Sequence, residues 1–141
     1  MSFTSKNNLE KLKIYDFSYT DKKIIREINE LLGKPYNFFE RIKLGGIGSK
    51  RLEVSSVSDD LKSIVNPEHY TTLVSLEIRP KGILIYFRKK LDVYAVPMRF
   101  DNIQLSVNDF DAVIKCHESR ITLKNAYQVD PAFMNRIGRK L

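Results

Sequence analysis

One cysteine, two histidines and no apolar run beyond a few residues define what this 141-residue chain is not. A lone cysteine, Cys116, cannot make an internal disulfide, so a disulfide framework is excluded. His69 and His117 are far apart and share no metal-ligand spacing with Cys116, so the sequence implies neither structural zinc nor an organic cofactor. The longest uninterrupted apolar stretches are of the kind Ile83-Leu84-Ile85-Tyr86-Phe87, far below the roughly 20 residues needed to span a bilayer. Low-complexity tracts and internal repeats are absent. The opening Met1-Ser2-Phe3-Thr4-Ser5-Lys6 carries no apolar secretory stretch. With a single cysteine, that points to a reducing cytoplasm.

The chain has the size of one domain, and 43% apolar with 29% charged residues suits a folded body rather than a disordered one. Its net charge is +7. Residues 1–71 hold 12 Lys/Arg against 10 Asp/Glu and residues 72–141 hold 12 against 7, so the surplus divides as +2 and +5. Such a surplus attracts phosphates, anionic lipid surfaces or acidic partners, and it also keeps a protein soluble.

The rhythm of apolar residues changes along the chain. Ile24, Ile25, Ile28, Leu31 and Leu32 mark one face of a helix that Thr20 can cap and that Gly33 and Pro35 end. Lys23/Glu27, Arg26/Glu30 and Glu30/Lys34 are opposite charges at i,i+4 on its outer side. Phe38, Phe39 and Ile42 fit a short helix, although Ile42 and Leu44 equally fit the start of a strand. Ser58, Asp59 and Asp60 suit a helical turn followed by Leu61, Ile64 and Val65 and closed by Pro67. From Thr72 to Lys124 the period is 2. Val74, Leu76 and Ile78 alternate with Ser75, Glu77 and Arg79, and Arg79-Pro80-Lys81-Gly82 is a turn. Strands follow over Ile83 to Arg88, Leu91 to Met98 after a Lys89-Lys90 connection, Asn102 to Val107, Ala112 to His117, and Arg120 to Lys124. Pro97 marks an edge, a bulge or a strand end. Asp130-Pro131 opens a last helix with Phe133, Met134, Ile137 and Leu141 as its apolar stripe, expected to lie on the sheet beside Ile83, Ile85 and Val93. The expectation is an α+β domain over 1–141: a mainly helical part over 1–66, an antiparallel meander sheet or partly open barrel over 72–124, and a capping helix over 130–141.

Several constellations bear on chemistry. Gly45-Gly46-Ile47-Gly48-Ser49-Lys50 has the look of a phosphate-cradling loop, but its spacing fits neither the Walker A form nor the dinucleotide fingerprint. A flexible connection before a strand over Leu52 to Val57 is the plainer reading. Cys116 and His117 are neighbours on an expected strand, where adjacent side chains take opposite faces, so they do not form a dyad. No catalytic residue is assigned. An enzyme would need His117, Asp92 or Glu77 to converge with another polar group in a cleft. Arg79, Lys81, Arg88, Lys89 and Lys90 are basic, but the intervening strand, about 20 Å long, puts them at opposite ends of the sheet. The parity of Phe87 with Ile83 and Ile85 makes it core, and Tyr86 and Tyr94 are the candidates for an exposed aromatic face. Leu84 shares the Tyr86 face, which therefore calls for a second layer or a partner to cover it.

The run Gly82-Ile83-Leu84-Ile85-Tyr86-Phe87, a basic turn, Asp92-Val93-Tyr94-Ala95-Val96-Pro97 and then Phe100-Asp101-Asn102-Ile103 resembles the strand, turn, strand and linker of bacterial pleckstrin-homology-like domains. The resemblance covers about half the chain, over residues 72–141, and a terminal helix fits the way that fold plugs its open barrel. It implies a non-enzymatic binding or assembly module, with a protein partner as the leading expectation and Arg79, Lys81, Tyr86, Arg88, Lys89, Lys90 and Tyr94 as possible contacts. No lipid-binding signature is met residue by residue. A basic domain for nucleic acid or an anionic surface is the alternative reading, its binding expected to be weak, and a small enzyme is a third.

Overall fold

The computed structural model describes residues 12–141. Its strands are β1 (Tyr15–Asp16), β2 (Leu52–Val57), β3 (Leu73–Arg79), β4 (Gly82–Lys89), β5 (Asp92–Arg99), β6 (Ile103–Asn108), β7 (Asp111–Cys116) and β8 (Ser119–Lys124). Helices α1 (Lys22–Leu32) and α2 (Phe38–Leu44) precede β2, and α3 (Ala126–Val129) and α4 (Pro131–Lys140) follow β8. The strands form one antiparallel sheet of order β1-β5-β4-β3-β2-β8-β7-β6, whose ends do not pair with each other. The domain is thus α+β with an antiparallel meander, and strand β2 lies at the middle of the sheet although it falls in the mainly helical part of the sequence.

Two meanders, β2 to β5 and β6 to β8, meet where β2 pairs β8, and a register shift between Val54 and Ser56 gives β2 the bulge that lets a sheet bend. The bend gathers Leu76, Ile83, Ile85 and Val96 of one meander with Ile114, Ile121 and Leu123 of the other into a single core, and Phe133, Met134 and Ile137 of α4 fill it. Asp130 starts α4: its Oδ1 accepts the Phe133 amide at 3.1 Å and its Oδ2 accepts the Lys50 amide at 2.8 Å. Leu141, expected in the apolar stripe, is exposed, because it follows the last helical turn and has no sheet beneath it.

The opposite face of β4 and β5 is covered too. Tyr15, Ile28, Leu32, Leu84 and Ala95 make a second, smaller core, with Phe17, Ile24, Leu31 and Tyr86 at its margin. Helix α1 is therefore the second layer that Leu84 requires, and a strand buried on both faces reads as an unbroken apolar run. Contact between layers is close at Gly82, where a Cβ would stand 2.1 Å from the Met98 carbonyl oxygen and 2.7 Å from Leu32 Cδ2.

Several expectations shift. The cap of α1 is Asp21, not Thr20: the Asp21 carboxylate accepts the Lys23 and Ile24 amides. The i,i+4 charges on α1 form no ion pair among the described residues. The open choice at Phe38 resolves as helix, set by the reciprocal Asn37/Glu40 capping box and the left-handed Gly45 at its end. Leu91 lies in the β4–β5 turn and is 93% exposed, because Lys90 takes the left-handed φ of 58°. His117 belongs to the β7–β8 turn, again left-handed at φ 57°, so it stands exposed at a turn while Cys116 faces the core. Pro97 lies past the residues of β5 that β1 pairs, an edge position where its missing amide donor is harmless.

Gly45 to Lys50 is tied to its neighbours by hydrogen bonds. The Gly45 and Gly46 amides close α2, Ser49 donates to the Leu76 carbonyl, Lys50 donates to Asp130, and the Ile47 carbonyl accepts the Ile78 amide. Before Arg51 the segment extends the pairing of β2 along β3, with Gly48 bridged to Glu77. Four of the six amides of this segment are committed in this way, those of Gly45, Gly46, Ser49 and Lys50.

Candidate functional site

The basic and aromatic residues singled out from the sequence separate into structural and surface groups. Arg79 is 6% exposed, contrary to a surface contact role. Its guanidinium donates to Asn29 Oδ1 at 3.1 Å and to the Gly33 carbonyl at 3.0 Å, and it pairs with Glu77. A cation at the C-terminal carbonyls of α1 suits the helix dipole, which is why the side chain turns inward. Tyr86 sits beside it, half-buried, its ring edge-on to Phe17 at 6.0 Å and its hydroxyl 3.5 Å from Glu77 Oε1. Burial, and then the Glu77 charge, raise the Tyr86 pKa.

Tyr94 does not share that face. Directly paired residues lie on the same side of a sheet, and Tyr94 pairs with Phe87 while Tyr86 pairs with Ala95. Tyr94 therefore packs at the margin of the main core, and Val93, expected under α4, lies on the α1 side. An exposed aromatic platform of Tyr86 and Tyr94 does not exist.

Lys81, Arg88 and Lys90 are exposed and Lys89 donates to the Ser63 carbonyl at 3.3 Å. Lys81 stands in the turn before β4, whereas Arg88, Lys89 and Lys90 stand at its other end. Arg88 and Lys90 line a shallow recess of about 350 Å³ with Arg51, Ser75 and Tyr86.

A larger cleft, about 780 Å³, opens between the β2–β3 connection and the β7–β8 turn, lined by Ser55, Ser56, Ser58, Asp59, Lys62, Asn66, Glu68, Lys115, His117, Glu118, Ser119 and Arg120 among others. Three of its lining residues, Ser58, Ser119 and Arg120, are hydrogen-bonded around Asp60. Asp60 accepts from Ser58 Oγ at 2.5 Å and from Ser119 Oγ, and Ser58 Oγ in turn accepts the Arg120 amide at 3.0 Å. At the rim Lys62 pairs with Asp59 at 3.0 Å, which raises the lysine pKa. Lys115 and Arg120 are cross-strand partners and face the same way. His117 lines this cleft, as an enzyme would require, but Glu77 and Asp92 do not. Glu77 is held by Arg79, and Asp92 lies at the start of β5 with Ser18 Oγ 3.4 Å away. Cys116 points into the core, where burial pushes its thiol up to about 11.

The free edge of β6 is what sequence reasoning missed. Ile103 to Asn108 pair with β7 on one side only, and no hydrogen bond from the other side is made among the described residues. Val107 is 57% exposed on this strand, and Phe110, in the β6–β7 turn, is 50% exposed. Asp109 turns that corner at φ 54°. An edge strand and a central strand carry the same period-2 pattern, so no residue-level signal distinguishes β6 from its neighbours. Among the described residues no cluster of His, Cys, Asp and Glu could hold a metal ion, and no helix is long and apolar enough to cross a membrane. Set against protein-family models, curated proteins and solved structures, the chain matches none.

Proposed function

We propose that the chain is a non-enzymatic binding or assembly module of the pleckstrin-homology-like type, which takes a protein partner along the free edge of β6. The observation that carries this reading is the edge itself. A strand with one unpaired side presents a row of backbone donors and acceptors to an extended segment, and side-chain contacts next to it supply selectivity. Val107 and Phe110 are the apolar contacts on offer. The run β5-β4-β3-β2-β8-β7-β6 within the sheet, two meanders around a terminal helix with the short β1 added at the β5 edge, supports reading the sheet as a partly open barrel plugged by α4. That is the arrangement the resemblance implies. Exposed Lys81, Arg88 and Lys90 act in this reading as steering charges for an acidic partner. The division of the cations among the two ends of β4, the cleft rim and the end of α4 favours a protein over a nucleic acid, which needs its charge gathered on one face.

The test is selection of displayed random peptides on the full chain, followed by affinity measurement on Val107→Lys/Phe110→Lys. Both side chains are exposed, so the variant keeps the wild-type melting temperature. The expected result is a loss of at least tenfold in affinity for the selected peptides. Selected peptides that bind the variant as tightly as the wild type contradict the proposal.

A further inference from the structure

Helix α2 carries an arrangement that neither core contains. We propose that α2 is an interfacial anchor that lays its apolar side on an anionic lipid surface, independently of any peptide at β6. Phe38, Phe39 and Ile42 are 63%, 75% and 62% exposed, three large apolar side chains on one short helix. At about 100° of rotation per residue they fall within one arc of about 100°. By the same rotation Arg41 lies about 60° past one border of that arc and Lys43 about 40° past the other. A cation thus flanks the apolar arc on each side.

The one acid of α2 is on the reverse. Glu40 is turned back to the start of the helix, where its carboxylate accepts the Asn37 amide at 3.0 Å. Leu44, half-buried, faces the body of the protein. Both ends of the helix are closed, and one bond ties it to α4. The Asn37/Glu40 box closes its beginning, left-handed Gly45 closes its end, and Arg136 of α4 donates to the Gly45 carbonyl at 2.7 Å. The Phe38 and Phe39 rings, 5.9 Å apart and inclined at 73°, form a preset wedge.

Charge complementarity selects the occupant. In a bilayer with anionic lipids the phosphates lie in a plane around the insertion point, where flanking Arg41 and Lys43 meet them while the rings enter the headgroup and acyl boundary. A second copy of the chain fits poorly, because a two-fold contact between α2 faces would bring the like charges of two helices together.

The experiment uses the full chain and vesicles of phosphatidylcholine alone or of phosphatidylcholine and phosphatidylglycerol in equal parts. The sequence has no tryptophan, so Phe39→Trp supplies a single reporter on α2. The proposal expects flotation with the anionic vesicles only, a blue shift of the indole emission of Phe39→Trp on binding, and at least a tenfold loss of partitioning in both Phe38→Ser/Phe39→Ser and Arg41→Gln/Lys43→Gln. Both double variants alter exposed side chains, and unchanged melting temperatures check that they fold. Absence of flotation, flotation that survives Phe38→Ser/Phe39→Ser, or binding without a blue shift would overturn it. So would a wild-type dimer, or an oligothymidylate complex, that Phe38→Ser/Phe39→Ser dissolves while anionic vesicles remain unbound.

Discussion

Replacing Asp130 by alanine tests the joint that locks the terminal helix to the N-terminal half. The carboxylate serves two amides, Phe133 at the start of α4 and Lys50 in the segment that leads into β2, and the residue is 9% exposed. Losing an N-cap costs about 1 kcal/mol, and stranding a half-buried amide costs about 1–3 kcal/mol. Water reaches Lys50 more readily than a core amide, so the lower part of that range applies and the total comes to about 2–3 kcal/mol. For a domain of this size each kcal/mol moves the melting temperature by about 4 °C, so Asp130→Ala should melt about 8–12 °C below wild type. Asp130→Asn keeps one acceptor and turns a donor toward the other amide, so it should fall between the two. Hydrogen exchange adds a local readout, with the Lys50 and Phe133 amides losing protection together in Asp130→Ala. A melting temperature within about 2 °C of wild type, below the effect of even one lost cap, would refute the double role assigned to this carboxylate.

The stripe of α4 gives a larger effect. Phe133 and Ile137 are 0% and 1% exposed, so Phe133→Ala should lose about 3–5 kcal/mol and Ile137→Ala about 2–5 kcal/mol in denaturant titrations. Truncation after Asn125 removes these and Met134, a loss comparable to the whole of the roughly 5–15 kcal/mol of a typical domain, and should abolish the cooperative melt; a folded truncated chain would mean the helix is not core. Tyr15 lies with its hydroxyl buried and without a hydrogen-bond partner, and burial first, then the neighbouring Glu27 carboxylate, push its pKa up to about 12 from 10.0. Because the folded state holds the neutral phenol, that contribution to stability is complete below pH 10, diminishes above it and is gone past about pH 12; ultraviolet titration should find one tyrosine ionising last, and the Tyr15→Phe variant should lack that step. Cys116, its thiol held at about 11, should react with a disulfide reagent at about pH 8 only after denaturant is added, and rapid labelling of the native chain would contradict its core position.

Alternation made the strands readable: Val74, Leu76 and Ile78, like Ile121 and Leu123, are buried as their period requires. The Pro80-Lys81 turn and the Asp130-Pro131 start were equally legible, since both depend on residues with fixed local preferences. The Lys89-Lys90 connection was legible to within a residue, but the conformation of the other hairpin corners was not. Lys90, Asp109 and His117 adopt left-handed φ without being glycine, and such positions leave little trace in sequence because most residues avoid that region. Pairing of β2 with β8 joins Val54 to Leu123 across the chain, which no local pattern encodes. Arg79 read as a surface cation because its partners, the Gly33 carbonyl and Asn29, belong to a helix distant in sequence. Phe38, Phe39 and Ile42 had the spacing of a short helix, and only the packed fold reveals that no layer among the described residues covers them.

Amide hydrogen exchange of the full chain, free and bound to a peptide selected on it, addresses the proposed function most directly. Strand addition at β6 should raise protection at alternate amides between Ile103 and Asn108, those that face away from β7, and leave the cleft around His117 and the ends of β4 unchanged. Protection that instead appears at Ser58, Lys115, His117 and Arg120, with β6 exchanging as in the free protein, would contradict a binding module that works through its sheet edge.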